Sequence, residues 1–147
     1  MTAALLDVNS LIALVDADHV HHERMQRWFL RHAGTGWATC PLTENGMVRV
    51  ISQSAYLSGQ WSPAEVVQIL AQLKNAYSAS FEFWPDSMSL TEDSLFVAEL
   101  LAGPRQVADV YLLGLAERHG SRVISFDGTL PWQAIRGGSA KLMERPV

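Results

Sequence analysis

The chain has 147 residues, 48% of them hydrophobic and 18% charged, and this composition excludes an intrinsically disordered protein. The length predicts a single domain over residues 1–147, with a core large enough to need neither disulfides nor a structural metal. Because 15 acidic residues outnumber 11 basic ones, the net charge is −4, which argues against binding of nucleic acid through overall positive charge.

The sequence also argues against export and membrane insertion. Cys40 is the one cysteine, so no disulfide can form within the chain, as is usual for proteins of a reducing cytoplasm. The N-terminal residues show neither the basic start nor the long apolar stretch of a signal peptide. No apolar stretch approaches the roughly 20 residues that cross a bilayer. We therefore expect a soluble, cytoplasmic protein.

Short apolar strands alternate with helices along the chain, which predicts an α/β fold with a mostly parallel sheet. In the first part of the chain, Asn9 can cap a helix through residues 11–15. The other elements predicted there are a strand at 3–6, a helix at about 21–32, a strand at 37–40 and a helix at about 43–52.

In the second part of the chain, residues 62–65 combine a Ser cap, a first-position Pro and a Glu three residues after the cap, so a helix is predicted to begin there and run to about Ala76. The helix predicted at 107–119 is apolar almost all round and is expected to be buried, with Gly120 ending it. The remaining predictions are strands at 81–84 and 122–126, a helix from 91 to before Gly103, and an edge strand in the tail after 137.

Four of the acidic residues stand where an apolar residue is expected: Asp7, Glu44, Asp109 and Asp127. Asp7 and Asp127 directly follow predicted strands, at the sheet edge where ligands bind in open α/β folds. Each also has a purely structural explanation. Asp7 can cap the next helix, and Asp127 with Gly128 forms a common turn pair.

The other two acids lie in predicted helices. Glu44 shares one helix face with Met47, Val48 and Ile51, so its carboxylate heads an inward stripe. Asp109 interrupts an apolar helix, where a structural Asp would need a buried Arg or backbone N–H partner. Strand ends and the helices that follow them share one edge of a parallel sheet, so the four carboxylates are predicted to meet there.

Four carboxylates in one place would repel one another unless cations were bound. Hard oxygen ligands without Cys or His companions favour Mg²⁺ or Mn²⁺. Such a site can activate water and stabilise the charge that develops during in-line displacement at a phosphodiester. The acids therefore predict metal-dependent phosphodiester hydrolysis.

Four segments that contain these acids resemble the PIN-domain nucleases, and more closely the VapC-type toxins of bacterial toxin–antitoxin pairs. They begin at Leu5-Leu6-Asp7-Val8-Asn9, Thr43-Glu44-Asn45-Gly46, Val107-Ala108-Asp109-Val110 and Val123-Ile124-Ser125-Phe126-Asp127. Their order and spacing match the family over nearly the whole chain. The resemblance implies a three-layer α/β/α sandwich, Mg²⁺- or Mn²⁺-dependent endoribonuclease activity on RNA, a homodimer, and neutralisation by a small antitoxin protein encoded beside it.

The resemblance also implies roles for individual residues. In the family, the acids that match Asp7 and Asp109 are the surest metal ligands, and those that match Glu44 and Asp127 complete the cluster. Asn9 falls where many members carry a Ser or Thr that supports the site, although it can instead serve only as a helix cap.

Other polar and aromatic residues leave further interpretations open. His19, His21, His22 and His32 could suggest a zinc or nickel site, but their spacing fits no closed zinc pattern and a polar helix start is favoured. The tryptophans could stack on bases, although most lie on apolar stripes and only Trp61 and Trp132 are expected at the surface. The arginines that could contact phosphates are Arg24, Arg27, Arg31 and Arg49.

Two rival functions are weighed against the nuclease. A catalytically inactive PIN-like interaction module is disfavoured because a pure binding protein need not keep four repelling acids together. The aspartyl-phosphate phosphotransferases also place an Asp after the first strand, but usually want a second Asp two residues later, where this chain has Asn9. The sequence also lacks a Gly-rich loop that could cradle a phosphate.

Overall fold

The computed structural model describes residues 3–56 and 60–147. Met1 and Thr2, part of the N-terminal segment weighed above as a signal peptide, lie outside these ranges. Five strands form one sheet in the order β3-β2-β1-β4-β5, and every pairing is parallel. The strands are β1 (Ala4–Leu6), β2 (Trp37–Thr39), β3 (Phe81–Phe83), β4 (Val123–Ile124) and β5 (Met143–Glu144). The predicted fold class is confirmed, and so is the edge strand in the tail.

Helices cover both faces of this sheet, because successive strand residues point to opposite sides. In β1, Leu5 joins one hydrophobic core with residues of the last helix, whereas Ala4 and Leu6 join a second core with residues of the first four helices. The helices are α1 (Val8–Val15), α2 (His22–His32), α3 (Pro41–Ile51), α4 (Pro63–Ala76) and α5 (Val107–Arg118). The result is a three-layer α/β/α sandwich. None of the helices in the described ranges is both long and apolar enough to cross a membrane.

The ends of the predicted helices follow local signals in the sequence. Ser62 Oγ accepts a hydrogen bond from the Glu65 N–H at 3.1 Å, and the Glu65 carboxylate accepts one from the Ser62 N–H at 3.0 Å, so the predicted cap of α4 is confirmed. After α5, Gly120 adopts φ +63°, the left-handed conformation expected of a glycine at this position.

One predicted helix is wrong. Between residues 91 and 103 the chain forms turns and one short 3₁₀ turn, Ala98–Leu100. The backbone here bonds to another segment instead, since the Val97 N–H donates to Ala134 O at 2.8 Å and Leu95 O accepts from the Arg136 N–H at 2.9 Å. This pairing holds the ring of Phe96 against Gly114 of α5, where a Cβ atom would come within 2.4 Å of the ring. Tertiary pairing thus overrides the local helix signal.

Candidate metal centre at the carboxyl edge of the sheet

Asp7 is the first acid that the fold places at the carboxyl edge of the sheet. It follows β1, is only 7% exposed, and accepts a hydrogen bond from the Ser10 N–H at 2.8 Å. Asp7 is therefore the cap of α1, and the prediction that Asn9 caps this helix is wrong. Burial raises the pKa of the Asp7 carboxyl, although hydrogen bonds from Ser125 and Ser10 act in the opposite direction.

The neighbours of Asp7 tie it to the next strand in the sheet. Ser10 Oγ donates to the carbonyl oxygen of Ile124 at 2.8 Å, and the Asp7 N–H donates to the same oxygen at 3.2 Å. The start of α1 and the end of β4 are therefore held together. This link brings Asp7 close to Asp127, which contributes to raising the pKa of Asp7.

Asp109 is the third residue of α5, is half-buried, and is followed in that helix by seven uncharged residues, 110–116. Within residues 3–56 and 60–147, its carboxylate makes no hydrogen bond and no ion pair, so the buried partner that a structural Asp would need is not found there. Burial, with the negative charges of Asp7 and Asp127, raises the pKa of Asp109 to about 6. Asp109 is therefore held among other acids.

Asp127 is the third residue after the end of β4 and is exposed. Its Oδ1 accepts hydrogen bonds from Thr129 Oγ1 at 2.6 Å and the Thr129 N–H at 2.8 Å, and these bonds lower the pKa of the carboxyl. The side chain of Ser125 accepts a bond from the Asp127 N–H at 3.0 Å. Thr129 is thus the hydroxyl that fixes Asp127.

A small cavity of about 130 Å³ lies beside these acids. Asp7 and Asp109 line it together with Asn9, whose side chain is exposed, and with the basic residue Arg49. Among the described residues, no three metal-ligating side chains lie close enough to form a ready-made site for one ion. The donor set nevertheless fits a hard cation, because it consists of carboxylate oxygens, and the charge of Asp127 raises the pKa of both Asp7 and Asp109.

Glu44 has a different environment from the other three acids. As predicted, it lies on the inward face of α3, and its side chain is 17% exposed. Its Oε2 accepts a hydrogen bond from Thr39 Oγ1 at 2.5 Å and pairs with Lys74 Nζ at 3.0 Å. Asp7, Asp109 and Asp127 therefore lie near enough for their charges to interact, whereas Glu44 lies beside a lysine.

The sequence contains little sign of the residues that support these acids. Ser10 stands three residues after Asp7, the spacing of a helix cap, and could have been found from that spacing. Lys74 lies on α4, 30 residues after Glu44, and no local pattern connects the two. Ser125 becomes a neighbour of Asp7 only when β1 and β4 pair.

The histidines make contacts of their own, which do not involve the acids of this site. His22 Nδ1 is 2.7 Å from the carbonyl oxygen of Ala13, and His32 stacks on Trp28. The His21 ring stacks on Phe126, with centroids 4.2 Å apart. A second, more open groove lies next to this stack, and its lining is Asn9, His19, Val20, His21, Phe126 and Asp127. Asn9 therefore borders both the groove and the acidic cavity.

The tryptophans are distributed as predicted. Trp28, Trp37 and Trp84 are buried, whereas Trp61 is 38% exposed and Trp132 is half-buried.

Comparison with known proteins matches residues 4–132 to the PIN domain. Three similar proteins are ribonucleases of Mycobacterium tuberculosis. Ribonuclease VapC44 is 41% identical over 136 residues, which cover 92% of this chain and 94% of that protein. Ribonuclease VapC39 is 40% identical over 134 residues, 91% of this chain and 95% of the relative. Ribonuclease VapC38 is 43% identical over 124 residues, 84% of each.

Proposed function

This chain belongs to the PIN-domain family, and from that premise we propose that it is a metal-dependent endoribonuclease, which hydrolyses phosphodiester bonds of RNA. The similarity to three proteins named as ribonucleases, over most of each chain, supports this activity. The structural observation that carries the proposal is Asp109. A carboxylate set in an apolar helix, next to Asp7 and Asp127 and without an ion pair in the described part of the chain, is expected at a cation site.

We assign Asp7, Asp109 and Asp127 as the ligands of Mg²⁺ or Mn²⁺, with Glu44 as the fourth acid of the set. Both contacts of Glu44 use Oε2, so Oε1 can still serve as a ligand. A divalent ion held there would lower the pKa of a water molecule and stabilise the negative charge that develops on the phosphate.

The other residues of the site hold these ligands and the substrate. The Ser10 N–H orients Asp7, and the Thr129 hydroxyl orients Asp127, as outer hydrogen bonds commonly do for metal ligands. Arg49 in the cavity wall supplies a guanidinium that suits a phosphate oxygen. Asn9 supports the site from the rim of the cavity.

The activity is tested by RNA cleavage with Mg²⁺ or Mn²⁺, with and without chelator, using the wild type and Asp109→Asn. We expect cleavage by the wild type to stop in chelator, and Asp109→Asn to lose at least about 100-fold, as is typical when a charge-stabilising group is removed. The matched control is Asp93→Asn, an exposed acid that lines neither the acidic cavity nor the neighbouring groove, and it should cleave like the wild type. Equal activity of all three proteins, or cleavage that survives the chelator, would contradict the proposal.

We further propose that the whole chain, residues 1–147, acts as one domain and forms a homodimer in the cytoplasm. By the same similarity, we propose that it is the toxin of a toxin–antitoxin pair, neutralised by a small protein encoded beside it. Induced expression should then arrest growth, and co-expression of that protein should restore it. Asp109→Asn should be harmless at the same expression level. Growth that continues while active enzyme accumulates would exclude the toxin role, and light scattering would test the dimer.

A further inference from the structure

We propose that the stacked rings of His21 and Phe126 form a platform on which the enzyme binds one base of single-stranded RNA, beside the phosphodiester that it cleaves. This inference rests on the proposed function and extends it to the substrate. Neither His21 nor Phe126 is one of the proposed metal ligands. Residues 19–22, whose sequence favours a polar helix start, would thereby gain a role in RNA recognition.

The groove beside this platform has the size and position of a nucleotide subsite. Its volume is about 470 Å³, within the range of roughly 300–1,000 Å³ that is usual for small-molecule pockets. The His21 and Phe126 rings are nearly parallel, at 5° to each other, and Val20 beside them is 86% exposed. Because Asn9 borders both this groove and the acidic cavity, a base in the groove lies next to a phosphate in the cavity.

The turn that carries His21 is already folded by its own hydrogen bonds. His19 Nδ1 accepts from the His21 N–H at 3.0 Å, and the carbonyl oxygen of Asp16 accepts from the His19 N–H at 3.0 Å. The His22 N–H donates to the carbonyl oxygen of His19 at 3.0 Å. A platform that is ordered in advance loses little conformational entropy when a base stacks on it.

Two arginines act on the platform although the chain as a whole is acidic, and the lining of the groove beside it also includes the carboxylate of Asp127. Burial, followed by His19, Arg24 and Arg145, lowers the pKa of His21. The two arginines are thus near enough to act on the ring and could bind the phosphates on either side of a stacked base. Arg24, Arg27 and Arg31 are exposed and follow i, i+3, i+7 spacing, so they form one stripe along α2. Aromatic stacking with cations along the backbone is the usual way to bind single-stranded nucleic acid.

Binding is measured by fluorescence anisotropy, using a labelled single-stranded RNA of roughly 12 nucleotides and mixed sequence, at low salt and with chelator to prevent cleavage. Removal of the ring in His21→Ala should weaken binding by between about 5-fold and 100-fold, the range found for loss of one stacked base. His21→Tyr, which keeps an aromatic ring, should bind within about 3-fold of the wild type. The matched control is His32→Ala, which removes a histidine that stacks on Trp28 elsewhere on α2 and should bind normally.

A second arm identifies the base. Abasic residues replace each nucleotide in turn, and at one position the loss of the base should weaken binding to the wild type but not to His21→Ala. Normal RNA binding by a correctly folded His21→Ala protein would overturn the proposal. So would a His21→Tyr protein as weak as His21→Ala, because the imidazole and not the stack would then matter.

The binding experiment and the cleavage experiment fail independently. If the wild type cleaves RNA and Asp109→Asn does not, but His21→Ala binds normally, the nuclease assignment stands and the platform is rejected. If the wild type never cleaves, yet His21→Ala binds weakly and His21→Tyr normally, the platform stands as an RNA-binding surface and the nuclease assignment is rejected.

Discussion

Glu44 and Asp109 each lie in the first turn of a helix at the carboxyl edge of the sheet, but their charges have different surroundings. Glu44 has Lys74 Nζ at 3.0 Å and the Thr39 hydroxyl at 2.5 Å. Asp109 has neither kind of contact in the described part of the chain, and its strongest charged neighbours are the carboxylates of Asp7 and Asp127. One acid is neutralised within the protein, whereas the other is surrounded by like charge.

This difference separates an acid that is paired with a cation of the protein from an acid that has no such partner in the described part of the chain. A charge pair such as Glu44 with Lys74 is complete without any added ion. The charged forms of Asp7 and Asp109 destabilise the folded protein in the absence of a cation, because burial and the negative charge of Asp127 both disfavour them. Such local cost is common at functional sites, where activity and stability oppose each other.

The largest effect is expected for Asp7→Asn. An asparagine can keep the hydrogen bond from the Ser10 N–H that caps α1, so the fold should survive. It removes the negative charge from the centre of the proposed ligand set. We therefore expect RNA cleavage in Mg²⁺ to fall at least about 100-fold, a larger decrease than usually follows when a residue that only hydrogen-bonds to a metal ligand is removed. Circular dichroism checks the fold. Cleavage within about 10-fold of the wild type would assign Asp7 a capping role only.

Most of the fold could be predicted because its signals are local. The spacing of apolar residues and the cap at Ser62 locate the helices to within a few residues. Parallel pairing follows from the alternation of strands with helices. The region from 91 to 103 could not be predicted, because its backbone bonds to residues 134–136 replace the helix that Thr91-Glu92-Asp93 favours. Strand order likewise depends on contacts between distant segments.

The site was predictable only in part, for the same reason. Asp7, Asp109 and Asp127 stand out in sequence because each is a charge in or just after an apolar segment, and the structure brings these three together. Glu44 shows the same signal, and its side chain does face inward. The lysine that meets it comes from another helix, so sequence alone could not distinguish a cation supplied by the protein from one that must be bound.

A stability measurement tests the cost of the unpaired acids. In metal-free buffer at pH 7.5, Asp109→Asn should be more stable than the wild type, because it removes a carboxylate whose pKa is raised to about 6. Since Asp109 is half-exposed, solvent screening should limit the gain to about 1–2 kcal/mol, or a rise of about 3–6 °C in Tm. Mg²⁺ should raise the Tm of the wild type and not that of Asp109→Asn.

The gain in stability should depend on pH in a defined direction. The folded protein binds the Asp109 proton more tightly than the unfolded chain, whose ordinary value is 3.8, so protonation favours the fold. The stabilising effect of the proton is complete below about pH 4 and is lost as the pH rises through about 6. The Tm difference between Asp109→Asn and the wild type should therefore vanish near pH 4. A constant difference from pH 4 to 8 would show that charge repulsion is not its cause.

The smallest effect is expected for Lys74→Met, which tests the other side of the contrast. Methionine keeps an apolar chain over the rings of Phe81 and Phe83 but leaves Glu44 without its cation. Because the ion pair is partly exposed, the metal-free protein should lose no more than about 1 kcal/mol, seen as a fall of about 2–4 °C in Tm. The control is Lys141→Met, an exposed lysine in a 3₁₀ turn, which should leave the Tm unchanged.

Addition of Mg²⁺ then decides what Glu44 does. If Glu44 is the fourth ligand, its carboxylate becomes available when Lys74 is removed, so the ion should stabilise Lys74→Met more than the wild type and the gap in Tm should close. A gap that stays the same at saturating Mg²⁺ would show that Glu44 is a structural acid that serves α3 and α4. The ligand set would then be the three aspartates alone. Acids that pair with a lysine of the protein would be structural, and only acids without such a partner would bind the metal ion.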